Sequence, residues 1–375
     1  MNEAGFANVP ALGPGCRLTV VIPARDEASH ITRTLAALAR QRATDGGPLD
    51  ARIFDILVFA NSCNDATADV ARAFAACHED VTIHVVEAEL PRDAAHIGTA
   101  RKLVMDAAAT RFIASGSARG IIASTDADTL ADDTWIAWTL REAERVDAVA
   151  GSIKLDAEER SQFAPALQAL YRDDAAYQQT IAELEAIYDP LPHDPLPRHA
   201  HHFGASFAVT ADAYVRAGGI PPLPYLEDLA LYRSLVRIDV HVRHSPHVRV
   251  TTSARRGARV AGGFATYLGD LDAYTRRGET LRVENPDRTL ARIRARAALR
   301  GIYAGRFAAN GRAAIVEAYA DYDGTVAALD HGSPFGANVE RIETRFDASV
   351  HAPVPLGAAL ATLRAVRAQQ STRTR

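Results

Sequence analysis

The chain has 375 residues, 48% hydrophobic and 23% charged, the composition of a globular protein with room for a large core. A formal charge of -4 at pH 7 gives no electrostatic ground for binding nucleic acid, and no apolar run reaches the roughly 18 residues of a membrane-spanning helix. Lysine occurs only at Lys102 and Lys154, so positive charge is almost all arginine and any single arginine is weak evidence for a site.

Short apolar runs alternate with helical patterns over the first 155 residues, which predicts repeated βα units on a mostly parallel sheet. The expected strands are "LTVVIP" from Leu18, "FDILVFA" from Phe54, "VTIHVV" from Val81, "GIIAST" from Gly120 and "DAVAGSIKL" from Asp147. Helices are expected over 27–41, 65–77, 97–112 and 133–146; in the first, Ile31, Leu35 and Leu38 share one face. A longer amphipathic helix is expected over 161–188, closed by the loop "DPLPHDPLP". There follow a strand-like "HHFGASFAVT", the turn "AGGIPPLP", the acidic "YLEDLALYRSL" and the alternating "VHVRHSPHVRVTTS". Beyond residue 261 the pattern is helical and basic, and 370–375 is expected to be a disordered tail.

Cys16, Cys63 and Cys77 have neither metal-ligand spacing nor the numbers for a disulfide framework, which favours a reducing compartment. The opening "MNEAGFANVPALGPG" lacks the basic start and apolar core of a signal peptide. The expected location is therefore cytoplasmic, with any membrane contact made from the surface.

Three polar clusters fall at expected strand ends, where ligands of open α/β sheets bind: "PARDE", "NSCND" and "TDAD". Asp126 and Asp128 in the last are separated by Ala127 alone, so they face a shared cleft or cap the following helix. Glu227 and Asp228 open a helical stretch after a proline-rich turn, a favourable place for two acids at a helix N-terminus. The spacing of His199, His201, His202, His244 and His247 fits no standard zinc pattern.

Taken in order, "VVIPARDE", "FANSCNDAT", "TDAD", "HHFGASFAVTADAY", "LEDLAL" and "TSARRGAR" resemble the family 2 glycosyltransferases of GT-A fold, over roughly residues 17 to 262. The resemblance implies an α/β fold with a Rossmann-like, mostly parallel sheet flanked by helices and a helical C-terminal extension. It divides the chain into a tail over 1–16, a transferase domain over 17–260 and a helical region over 261–369. Residues 17–130 would form the nucleotide-binding half and 131–260 the acceptor-binding half. The implied activity is transfer of a sugar from a nucleoside-diphosphate sugar to a hydroxyl acceptor, most simply with inversion.

A divalent ion, Mn2+ or Mg2+, would stabilise the diphosphate leaving group as a Lewis acid, with Asp126 and Asp128 as its carboxylate ligands. His247, or else His244, would complete that metal site. Asp228 matches the general base and Glu227 its orienting neighbour. Pro23, Ala24, Arg25, Glu27 and Asn61 would meet the nucleoside; relatives carry an acidic pair where this chain has Ala60 and Asn61, so the base is not assigned. Arg101 or Lys102 could reach a phosphate or be an exposed basic pair, and Arg255, with Arg256 and Arg259, would close over the diphosphate. His202 and Gly204 would face the acceptor, a small molecule, a glycan or a lipid-linked sugar. The insertion over 161–197 and the C-terminal helices would select it. The oligomeric state stays open, a homodimer included.

Two rival readings follow from the same residues: a retaining transferase making a small glycoside such as a sugar glycerate, and an inactive nucleotide-binding scaffold. A sugar nucleotidyltransferase is disfavoured, because "PARDEASH" lacks a glycine-rich phosphate loop.

Overall fold

A computed structural model describes residues 5–254, 264–306, 310–344 and 352–373. The first half alternates β1 (Leu18–Ala24), α1 (Ile31–Ala39), β2 (Phe54–Asn61), α2 (Thr67–Cys77), β3 (Ile83–Ala88), α3 (Ile97–Ala114) and β4 (Ile121–Ser124). There follow β5 (Thr129–Ala131), α4 (Trp135–Ala143), β6 (Ala148–Leu155), α5 (Ala157–Ser161), α6 (Pro165–Tyr188), β7 (Phe207–Thr210), α7 (Ala211–Arg216), α8 (Glu227–Arg237) and β8 (Val242–Thr252).

The eight strands form one sheet in the order β3-β2-β1-β4-β7-β6-β8-β5. Only β7 and β5 run against the others. The α/β fold with a mostly parallel sheet is therefore as expected. Every residue of β1 and β2 is buried, which is why both read as unbroken apolar runs: helices cover both faces. Leu18, Val20 and Ile22 pack with Ile31, Leu35 and Leu38 of α1 and with Trp135, Ile136 and Leu140 of α4. α3 lies along β1 and β2 and buries Val104, Met105, Ala108 and Phe112.

Three local differences from the sequence expectation have physical causes. α1 begins at Ile31 rather than near residue 27 because Asp26 sits at φ 53° and the next residues are tied to the neighbouring loop. β5 has only three residues, too few for alternation to show, and exists by pairing Thr129, Leu130 and Ala131 with Thr252, Thr251 and Val250 of β8. α6 starts at Pro165, where a proline fits the first helical turn, after the separate short α5.

The chain forms two compact units. One comprises Met1–Ser161, His201–Leu235 and Val240–Leu268 and contains the whole eight-stranded sheet; the other comprises Gln162–Ala200, Val236–Asp239 and Gly269–Arg375. The segment 162–200, counted with the transferase domain in the sequence reading, thus joins the helical unit. Tyr177 and Leu184 of α6 share a core with Leu290, Ile293, Leu356, Leu360 and Leu363. The last helix, Leu356–Arg373, runs into the segment expected to be a disordered tail; its Ala, Gln and Arg residues favour helix, and its first turns are anchored in that core. Among the described residues, no helix is long and apolar enough to cross a membrane.

Candidate active site

The ends of β1 and β2 are laced together. Pro23 and Ala24 lie beside Phe59 and Ala60 in the parallel register, so Asn61 stands next to the turn that Arg25 opens. Asp26 accepts from the Asn64 backbone N–H at 2.6 Å, and Thr67 Oγ1 accepts from the Glu27 N–H at 2.8 Å. Asp65 accepts from the N–H groups of Ala28 and Thr67, both at 3.0 Å. These bonds fix the expected nucleoside-facing residues in one place. Glu27 is buried with its carboxylate 3.0 Å from His30 Nδ1, and Asn61 is buried and accepts from the Ser62 hydroxyl at 3.1 Å. Arg25 is exposed and donates to the Ala95 carbonyl at 2.7 Å. Ligand atoms of Asp26, Cys63 and Asp65 lie within 4.8 Å of one another. The two carboxylates are committed to bracing these loops and burial pushes the Cys63 thiol up, so the trio reads as a loop brace.

At the end of β4 the Asp-Ala-Asp turn has an inner and an outer side. Ala127 is buried and its carbonyl accepts from Thr34 of α1 at 2.8 Å, while Thr125 Oγ1 reaches the Ala205 carbonyl at 3.0 Å. Asp126 and Asp128, on either side of Ala127, are left half-buried. Asp128 borders a small cavity with His30, Arg33, Asp156, Glu159 and Ser253. The β5–β8 pairing, with Thr129 Oγ1 2.9 Å from Thr252 Oγ1, brings Ser253 and Ala254 to this turn. Glu159 of α5 accepts from both, at 2.9 and 2.7 Å. Arg255, Arg256 and Arg259 lie outside the described residues.

Arg101 is the centre of the arrangement. It is only 4% exposed. Four of its five N–H groups meet protein acceptors: Nε the Glu227 carboxylate at 3.0 Å, Nη1 Ser124 Oγ at 2.6 Å and the Gly204 carbonyl at 3.3 Å, and Nη2 Asp126 Oδ1 at 2.8 Å. Burial works against this cation, but Asp126, Glu227 and Asp228 outweigh it and raise its pKa above the ordinary guanidinium value. Burial likewise raises Glu227, partly opposed by Arg101. The neighbouring Lys102 pairs with Asp106 at 2.8 Å, one helical turn away.

Glu227 and Asp228 open α8 directly after Leu226, which is held at φ 57°. Asp228 Oδ2 accepts from the Gly204 N–H at 2.7 Å, so the Asp228 carboxylate and the expected acceptor loop are in direct contact. Phe203, Leu223, Tyr225 and Leu226 expose between 39% and 48% of their surface on the two loops joined there. His202 stacks on Tyr232 with ring centroids 4.1 Å apart, and His244 meets the same tyrosine edge-on. His201 accepts from the Ile153 N–H at 2.9 Å, and burial, reinforced by His244, lowers its pKa to about 4.

His247 lies on β8, three residues after His244. Its ring is stacked on Trp138 of α4, with centroids 4.2 Å apart. His247 is exposed and falls where the β6–β8 register shifts between Ser245 and Arg249.

The family described as Glycosyltransferase like family 2 matches residues 14–262, two-thirds of the chain and the whole of this site. The chain belongs to that family. As a family 2 glycosyltransferase it carries the GT-A type of α/β sheet that its motifs imply. Similar solved structures include the mannosyltransferase PcManGT from Pyrobaculum calidifontis in complex with GDP-Man and Mn2+, 16% identical, covering 98% of this chain and 89% of that one with a TM-score of 0.43. Another is S. aureus TarS 1-349 in complex with UDP-GlcNAc, 13% identical, covering 94% and 89% with a TM-score of 0.48. No curated protein matches the chain.

Within this glycosyltransferase, three supporting residues gave no sequence signal. Thr34, Ser124 and Glu159 are ordinary polar residues on a helix face, a strand end and a short helix, and become site residues only through contacts with distant segments.

Proposed function

We propose that the enzyme transfers a sugar from a nucleoside-diphosphate donor to a hydroxyl acceptor with inversion, using Asp228 as general base and a divalent cation at Asp126 and Asp128. The observation that carries this reading is the chain of contacts from Asp126 through Arg101 and Glu227 to the start of α8, which joins the two acidic motifs in one site. The donor set fits a hard cation such as Mn2+ or Mg2+: carboxylate oxygens, with Arg101 engaging one oxygen of Asp126, and more negative than positive charge among Asp126, Glu227, Asp228 and Arg101. When bound, the cation would offset charge developing on the diphosphate.

The protein's own groups carry the rest. Pro23, Ala24, Arg25, Glu27 and Asn61 would hold the nucleoside at the laced ends of β1 and β2, and the arginine segment from Arg255 would meet the diphosphate. Asp228 is oriented by the N–H groups of Gly204 and Leu229, both at 2.7 Å. It would take the acceptor hydroxyl proton as the oxygen bonds to the anomeric carbon; the bond from that carbon to the diphosphate oxygen breaks, and its electron pair leaves with the nucleoside diphosphate. Glu227 holds Arg101 and so serves orientation. The exposed apolar residues at Asp228 support an acceptor with an apolar part beside its hydroxyl, a lipid-linked sugar among them, which suits an enzyme working in the cytoplasm or at a membrane surface.

Asp228→Asn tests the base. Transfer should fall by about 100- to 10,000-fold, while stabilisation by nucleoside diphosphate and metal persists and any residual product keeps the inverted anomer. Transfer at the unaltered rate, or a product with retained configuration, would overturn the assignment.

A further inference from the structure

We propose that Arg101 is a positioning residue that couples the donor carboxylate Asp126 to the acceptor pair Glu227 and Asp228, so that filling one half of the site is felt in the other. The inference rests on the donor and acceptor roles proposed above, and goes beyond them in making the two halves thermodynamically dependent. One guanidinium is shared: Nη2 belongs to Asp126 and Nε to Glu227, and Nη1 is pinned between by Ser124 and Gly204. Sharing is enforced by shape as well as charge. A Cβ on Gly204 would stand 2.7 Å from Arg101 Cζ, so only glycine leaves room for the guanidinium there. That same Gly204 gives its N–H to Asp228, which ties the position of Arg101 to the proposed base.

The coupling has a definite sign. Asp126 and Glu227 compete for one buried positive charge, and in low dielectric such competition is strong. A divalent cation on the other oxygen of Asp126 would draw charge from that carboxylate and so weaken its bond to Nη2, and Arg101 then leans on Glu227. If Glu227 loses its charge, Arg101 neutralises Asp126 more fully and Asp126 becomes a poorer metal ligand. Glu227 thus controls metal and donor affinity without being a metal ligand.

The test is a double-mutant cycle read as the dissociation constant of Mn2+, from melting temperatures at saturating UDP or GDP, whichever stabilises the unaltered enzyme. Glu227→Gln should weaken Mn2+ by about fivefold to tenfold in the native background and by less than about twofold when Arg101→Lys is also present. A lysine keeps the charge but cannot bridge three segments. Should Arg101→Lys not fold, Gly204→Ala supplies the second background, since its methyl displaces the guanidinium, and the effect of Glu227→Gln should shrink there too. An equal change in every background would mean that Glu227 acts through its direct field alone, and would overturn the coupling while leaving the donor reading intact. Absence of any nucleotide or Mn2+ response in the unaltered enzyme would remove the donor reading and the coupling with it.

Discussion

At Gly204 the lack of a side chain matters for a reason the sequence does not display, since the residue that fills the space belongs to a helix a hundred positions earlier. Gly204→Ala is expected to cost about 1–3 kcal/mol by overpacking and to lower transfer, measurable as a reduced melting temperature with a reduced rate. Asp126 was legible as part of an acidic motif at the end of an apolar run, and Asp228 as part of an acidic pair opening a helical stretch after a proline-rich turn. The contacts of Arg101 were not, because its acceptors come from three separate stretches of chain. His201 makes a further prediction. Its folded pKa of about 4 lies below the ordinary value of 6.5, so the unfolded chain binds more protons between these values and stability falls as pH drops through that window. The loss should reach at most about 3 kcal/mol by pH 4, and His201→Gln should flatten this part of the profile of melting temperature against pH. An unchanged slope in the variant would place the acid sensitivity elsewhere.

Among the elements, the central strands were the most readable, since burial on both faces leaves an uninterrupted apolar run in β1 and β2. β5 was unreadable, because its three residues owe their conformation to β8 rather than to their own pattern. The start of α1 was misplaced for a similar reason: the side chains of Asp65 and Thr67, from another loop, hold residues 27 and 28 outside the helix. α1 in turn positions the acidic turn through Thr34. Thr34→Val keeps the shape, removes the bond to the Ala127 carbonyl and leaves that buried oxygen without its hydroxyl partner. A cost of about 1–3 kcal/mol is expected, together with weaker stabilisation by nucleoside diphosphate and metal. If metal-dependent stabilisation is as large as in the native protein, the turn does not depend on α1 for its geometry.

For the whole molecule, the sheet-containing unit brings the three strand-end motifs after β1, β2 and β4 together on adjacent strands, and the family match covers them. The grouping of α6 with the C-terminal helices was hidden, because an amphipathic pattern shows that a helix buries one face and not which partner covers it. The central claim, a metal-assisted nucleoside-diphosphate site at Asp126 and Asp128, can be tested without knowing the sugar or the acceptor. The measurement is the melting temperature with UDP, GDP, TDP and CDP, each with and without Mn2+ or Mg2+, for the native protein and for the Asp126→Ala, Asp128→Ala double variant. A diphosphate at a thousand times its dissociation constant stabilises a fold by about 4 kcal/mol. One diphosphate should raise the native melting temperature only when metal is present, with no rise in the variant; stabilisation that ignores metal, or that survives in the variant, would contradict the claim.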